Sequence, residues 1–142
     1  RDRYYGAFQN CTSLCTIEIP KSLEYANFDT DLYNNIISAP FMGSGLEQIK
    51  FETGTKTVVD SLFLGCNKLK KVKIPETVTS IGNHAFSMCK SLSEISISDS
   101  VTSIGSDAFS SCTALVKINI PDSVTVIGSN AFNGCTSLSD VS

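Results

Sequence analysis

The sequence predicts an α/β-type solenoid, in which short repeated units stack to form one continuous core. The first observation is a step of 23 residues, since residues 100–112 read SVTSIGSDAFSSC and residues 123–135 read SVTVIGSNAFNGC. The second is that phenylalanine recurs at this step, followed by cysteine after three residues and leucine after six. These phenylalanines are Phe63, Phe86, Phe109 and Phe132. A fixed period held by several columns indicates stacked structural repeats.

Each unit begins with a predicted β-strand. In the unit that starts at Leu92, the apolar residues Ile95 and Ile97 alternate with the polar residues Glu94 and Ser96. Alternation of this kind predicts a strand with one buried face. Stacking of the units would place these strands side by side in one parallel sheet, on the concave side of the solenoid.

The second half of each unit is predicted to lie on the convex side. Residues 100–105 read SVTSIG, a short extended segment whose Val101 and Ile104 point inward. Gly105 supplies either a positive φ or a close backbone contact, and the sequence leaves both possibilities open. The A-F-x-x-C segment that follows predicts one short 3₁₀ or helical turn.

We interpret residues 1–142 as a single array of 23-residue units and expect it to be a piece of a longer array. One unit carries an insertion within residues 26–45, because Leu14 and Leu46 are 32 residues apart instead of 23. The aromatic residues of this insertion include Phe28, Tyr33 and Phe41. Two interpretations remain open: a loop closed by its own aromatic side chains, or a protruding binding loop.

Composition and motifs argue against several functions. The net charge is −3, so we expect no nucleic-acid partner, which usually needs a basic surface. No apolar run approaches the ~20 residues of a membrane helix, so we expect no membrane insertion by this segment. His84 is the single histidine, and no carboxylate pair, glycine-rich loop or C-x-x-C pair occurs. We therefore expect no catalytic residue, no metal site and no cofactor.

Five of the six cysteines share one column and are interpreted as small apolar core side chains. They are Cys11, Cys66, Cys89, Cys112 and Cys135. Stacked residues have parallel Cβ vectors, which disfavours disulfides between neighbouring units. An even number of cysteines in a secreted chain keeps the disulfide alternative open.

These columns resemble the leucine-rich repeats of BspA-like surface proteins of anaerobic bacteria and trichomonad protists. The pattern of that family is L-x-x-I-x-I-P followed by S-V-T-x-I-G-x-x-A-F-x-x-C. It is matched well by residues 69–89, 92–112 and 115–135, and more loosely by residues 46–66. The chain departs from it at Gly43, which stands in the cysteine column.

The resemblance implies a leucine-rich-repeat solenoid from a cell-surface or secreted protein whose relatives act in adhesion. It brings no catalytic residue to this chain. We hypothesise a non-catalytic protein-interaction or adhesion module that binds a protein or glycan ligand on a host or neighbouring cell surface. The alternative is a structural stalk, or spacer array, without a ligand of its own.

The exposed strand positions provide the candidate binding residues. In one column, charges of opposite sign alternate and satisfy each other. In a second column, Lys50 and Lys73 are neighbours, forming a small basic patch that would suit an acidic protein or an anionic glycan, unless the side chains only extend into water. The candidates on the concave face are Gln48, Lys50, Lys71, Lys73, Glu94, Lys117 and Asn119, and those in the insertion are Phe28, Tyr33 and Phe41.

Overall fold

The computed structural model describes residues 6–26, 28–30, 32 and 36–142. In these residues the chain winds into stacked coils, which confirms the predicted solenoid of parallel strands. One set of strands forms what we call the front face, the surface that the sequence predicts to be concave. Its strands are β1 (Thr16–Ile19), β4 (Gln48–Phe51), β6 (Lys71–Lys73), β8 (Glu94–Ser96), β10 (Lys117–Ile118) and β12 (Asp140–Val141).

The second set of strands forms the back face. It contains β5 (Thr57–Val58), β7 (Ser80–Ile81), β9 (Ser103–Ile104) and β11 (Val126–Ile127), paired in parallel in that order. Their pairs join equivalent residues of successive coils, for example Ser80 with Ser103 and Ile81 with Ile104. The short extended segment predicted after each front strand is therefore present, and each such coil contributes one strand to each face.

The front face is not one continuous sheet, which corrects the sequence prediction. β1 pairs with β4, and β6, β8, β10 and β12 form a separate four-stranded sheet. We call the junction between β4 and β6 the seam. The turn that leads into β4 is one residue shorter than its neighbours, since Leu46 follows Phe41 by five residues and Leu69 follows Phe63 by six.

The turns contain no helix in the described ranges, so the predicted 3₁₀ or helical turns are wrong. Alternate backbone N–H groups of residues 84–88 donate to the next coil instead of their own. The bonds run from His84 to Ser106 O (2.9 Å), from Phe86 to Ala108 O (2.8 Å) and from Met88 to Ser110 O (2.7 Å). A helix uses successive N–H groups within its own chain, so this ladder between coils excludes it.

Left-handed backbone recurs at two positions of each turn and is carried mostly by residues other than glycine. One column contains Ser61, His84, Asp107 and Asn130, with φ between 53° and 57°. A second column contains Asn10, Gly43, Gly65, Met88, Ser111 and Gly134, with φ between 58° and 73°. The glycines of the Ile-Gly pairs serve the other purpose, because a Cβ on Gly105 would lie 2.6 Å from the backbone nitrogen of Asn83.

The core is built around a continuous stack of phenylalanine rings, one from each coil. Neighbouring ring centroids are 5.2 Å apart for Phe8–Phe41, 6.0 Å for Phe41–Phe63, 5.3 Å for Phe63–Phe86, 5.5 Å for Phe86–Phe109 and 5.4 Å for Phe109–Phe132. Phe63, Phe86 and Phe109 are fully buried. Separations of this size are those of favourable aromatic pairs, so each coil contributes one ring to the cohesion of the stack.

Phe41 belongs to this stack, which corrects its assignment to an exposed binding loop. The side chain is 4% exposed, and its carbonyl accepts the Cys66 thiol at 3.5 Å. The equivalent bond in the next coil joins the Cys89 thiol to Phe63 O at 3.1 Å. Ser44, not Gly43, therefore occupies the cysteine column, and it is buried as well.

The described part of the insertion forms a small hairpin beside the solenoid. Its strands are β2 (Asp29–Thr30) and β3 (Ile36–Ser38), which pair antiparallel. The hairpin returns the chain to Phe41, so the nine extra residues lie before the core column resumes.

Candidate binding surface

The seven residues predicted on the concave face all lie on the front face with exposed side chains. Strand alternation explains this placement, since the burial pattern of β6 is exposed, buried, exposed for Lys71, Val72 and Lys73. Register then brings them together, with Glu94 lying between Lys71 on one side and Lys117 on the other. The structure thus assembles the predicted residues on one surface.

The first column of the front face is satisfied by its own ion pairs. Lys71 Nζ lies 2.7 Å from Glu94 Oε2, and Lys117 Nζ lies 2.9 Å from Asp140 Oδ2. The hydrogen bond to Glu94 raises the pKa of Lys71. All four side chains are well exposed, so each pair contributes little to stability. These pairs fix the position of charges on the surface without leaving either sign in excess.

The second column leaves two lysines without such a partner. Lys50 lies opposite Glu18 in the β1–β4 register, and Lys73 lies opposite Ser96. In the part of the chain that the structure describes, neither lysine forms an ion pair. Further along the column, the hydroxyl of Ser142 donates to Asn119 Oδ1 at 3.2 Å.

Two shallow hollows lie along the front face. One, of about 440 Å³, contains Gln48, Lys50 and Lys73 in its lining, with Ile49 and Val72 between them. A second, of about 500 Å³, continues past Glu94 to Lys117 and Asn119. Together they give the front face the relief of an open groove, not of an enclosed pocket.

The aromatic candidates of the insertion do not act as a group. Phe28 is 38% exposed and Phe41 is buried, while Tyr33 lies outside the described residues. The structure instead shows Tyr25 at 71% and Leu32 at 99% exposure, which the sequence analysis did not select. No repeat column passes through the insertion, so periodicity gave no signal for them.

An apolar cavity of about 290 Å³ lies beside the insertion. Its lining includes Phe8, Ile17, Leu23, Tyr25 and Phe41, with Glu18 as its charged residue. The cavity continues the hydrophobic core toward the first coil, where Phe8 is 42% exposed.

The one histidine and the column cysteines do not form a reactive pair. His84 lies in a back-face turn with φ of 53°. Burial raises the pKa of the Cys89 thiol well above its ordinary value, and the thiol donates to Phe63 O. A nucleophilic cysteine needs an exposed, electropositive setting that stabilises the thiolate, and Cys89 has the opposite environment.

All six cysteines are free, as the interpretation of the column expects. Cys66, Cys89 and Cys112 are buried, whereas Cys135 is half-buried and Cys11 is exposed. Assigning Cys11 to the core was therefore wrong, because its coil packs against a neighbour on one side only. Within the described ranges, no three potential ligands cluster as a metal site would require, and no helix is long and apolar enough to cross a membrane.

Comparison with known proteins agrees with this architecture. Residues 4–35 and 34–142 match the BspA type leucine rich repeat region, in six copies. The chain belongs to the BspA-type leucine-rich repeat family. No curated protein matches the sequence.

Solved structures of leucine-rich repeat proteins share the fold of this BspA-type chain. A leucine rich cell surface protein of Faecalibacterium prausnitzii is 28% identical, with a TM-score of 0.59 over 89% of this chain and 38% of its own. A leucine-rich repeat protein of Eubacterium ventriosum is 29% identical, with a TM-score of 0.69 over 94% and 34%. One of Bacteroides ovatus is 30% identical, with a TM-score of 0.52 over 91% and 33%. The chain thus spans about a third of the length of these relatives.

Proposed function

We propose that this chain is a non-catalytic interaction module of a cell-surface or secreted protein, and that its front face contacts the ligand. The observation that carries the proposal is the division of labour in the repeat. Every coil buries the same apolar column, while the exposed strand positions differ from coil to coil. A rigid scaffold that varies only its exposed residues is suited to recognition.

The setting follows from the family and from one relative. Repeats of this family are binding scaffolds, and the relative from Faecalibacterium prausnitzii is named a cell surface protein. The proposed ligand is a protein or a glycan presented by a host cell or a neighbouring cell. Nothing in the front-face strands supplies a Tyr or Trp anchor, so single modules should bind weakly and gain strength from multiple copies.

The test is a bead-binding assay with a matched charge control. Beads that carry the full chain would be offered to cultured epithelial cells and to bacterial cells. Reversing Lys50, Lys71 and Lys73 to Glu should abolish binding if the front face makes the contact. Reversing Lys56, Lys68 and Lys90, which are exposed elsewhere, changes the net charge equally and should preserve it. Equal binding by both variants would reject the front face as the contact surface.

A second candidate function is a spacer array. It is favoured by the ion pairs Lys71–Glu94 and Lys117–Asp140, because a column that satisfies its own charges needs no partner. A spacer predicts that beads carrying the wild-type chain bind neither cell type, whatever the state of the front-face lysines.

A further inference from the structure

The seam differs from the other coil junctions in its backbone contacts. β4 and β6 lie next to each other in the coil order but form no ladder, although β5 and β7 of the same two coils are paired on the back face. The coils are also further apart in the core here. The Phe41 and Phe63 centroids are 6.0 Å apart, and the Cys66 thiol is 3.5 Å from its acceptor, against 3.1 Å for Cys89.

The seam also concentrates uncompensated positive charge. Lys50 on β4 and Lys73 on β6 flank it in one column, and neither forms an ion pair within the described residues. Glu18 lies opposite Lys50 on β1, on the side away from the seam. Adjacent like charges on a sheet surface are unfavourable, and an anion placed between them would relieve the repulsion.

Polar and apolar groups surround this pair in a way that suits a peptide. The hollow of about 440 Å³ combines the two lysines with Gln48 and Ser96 as hydrogen-bonding groups, and with Ile49 and Val72 at its base. Aliphatic parts of amino-acid side chains can contact this base while carboxylates reach the lysines. A sugar ring would find no Tyr or Trp side chain on these strands to stack against.

We propose that the seam binds an extended acidic segment of a partner protein, with a carboxylate placed between the ammonium groups of Lys50 and Lys73. Gln48 and Ser96 hydrogen bond to the same segment on either side. The inference rests on the proposed function and names the class of ligand that the front face takes. Binding of this kind weakens as salt rises, because exposed charges are screened.

The test uses the full chain and a defined probe, a blocked peptide of alternating Asp and Ala, measured by calorimetry at low and at physiological ionic strength. The variant K50Q/K73Q should reduce affinity about tenfold, as expected for two exposed ion pairs. The control K56Q/K90Q removes the same charge from exposed positions outside the front face and should keep wild-type affinity. Thermal unfolding of both variants checks that these exposed substitutions leave the fold intact.

Three results would overturn the inference. Equal affinity of the two variants would show that only net charge matters. Tighter binding of a heparin fragment than of the acidic peptide, lost in K50Q/K73Q, would assign the seam to a sulfated glycan. Absence of peptide binding to the wild-type chain, while coated beads still bind cells, would reject the acidic segment and leave the interaction module standing. Beads that bind no cells would instead reject the proposed function.

Discussion

At the scale of single residues, the cysteine column shows how a reactive residue type is used structurally. The thiols of Cys89, Cys112 and Cys135 each donate to a phenylalanine carbonyl of the preceding coil at 3.1 Å. Each side chain thereby fills a small apolar space and satisfies a carbonyl in the core. Burial raises the pKa of Cys66 and of Cys112 to about 12, so these thiols remain protonated at neutral pH.

The raised thiol pKa values predict a loss of stability in alkaline solution. An unfolded thiol with a pKa of 9.0 loses its proton before a folded one with a pKa of about 12. Between these values the folded state binds more protons, so the free energy of unfolding falls as pH rises, by about 1.4 kcal/mol per pH unit for each thiol. We expect Cys112→Ala to show a shallower fall than the wild-type chain in urea titrations across this range.

Cys15→Ala provides the control for this experiment, because Cys15 is exposed and outside the column. It should retain the wild-type slope of stability against pH. A slope in Cys112→Ala equal to that of the wild-type chain would contradict the assignment of the column thiols as protonated core donors.

Single residues also mark the limit of prediction from periodicity. The columns of Phe, Cys and Leu could be read from the sequence because the step of 23 residues repeats without error from Phe63 onward. Phe41 and Ser44 could not, since they are one residue out of step with Phe63 and Cys66 and follow an insertion. Only the stacked rings and the bond from Cys66 to Phe41 O reveal their positions.

At the scale of elements, the strands were predictable and the turns were not. Strand alternation depends on local sequence, so Lys71, Val72 and Lys73 already indicate which side chains face outward. The turns depend on neighbours, because alternate N–H groups donate to the next coil. The seam has the same origin: whether β4 and β6 pair is decided by the fit between coils, which no single unit encodes.

The column of left-handed residues gives a prediction about one turn. Met88 has φ of 60° where Gly65 and Gly134 occupy the equivalent position, and its side chain is 45% exposed. A residue with a Cβ is strained by about 1–2 kcal/mol there, whereas glycine is not. After subtraction of the greater chain entropy of unfolded glycine, Met88→Gly should stabilise the protein by up to about 1 kcal/mol in chemical denaturation.

Lys90→Gly is the matched control, because Lys90 is exposed nearby but lacks positive φ. It should destabilise the protein by about 0.5–1 kcal/mol, the usual cost of glycine at an ordinary backbone position. A loss of stability in Met88→Gly as large as in Lys90→Gly would show that the turn does not strain its methionine.

At the scale of the whole molecule, the solenoid behaves as a row of coils that contact only their neighbours. Phe86 illustrates this, since its ring stacks on Phe63 and Phe109 and its N–H donates to Ala108 O. Stability should therefore be close to a sum of coil terms and junction terms. The seam is one junction among these, and the coils that follow it repeat nearly the same contacts.

This additivity predicts that one complete unit can be removed. Deleting residues 92–114 joins Ser91 to Leu115 and leaves every column in register. We expect a folded β-solenoid, shorter by about 4.8 Å, whose free energy of unfolding and denaturant m value are both reduced. Because Lys50 and Lys73 remain, affinity for the acidic peptide should be retained. Deleting residues 92–103 instead breaks the register and should give an aggregating or partly unfolded chain. If the in-frame deletion also failed to fold, the coils would not be independent units, and neither a spacer nor a modular binding surface would describe the protein.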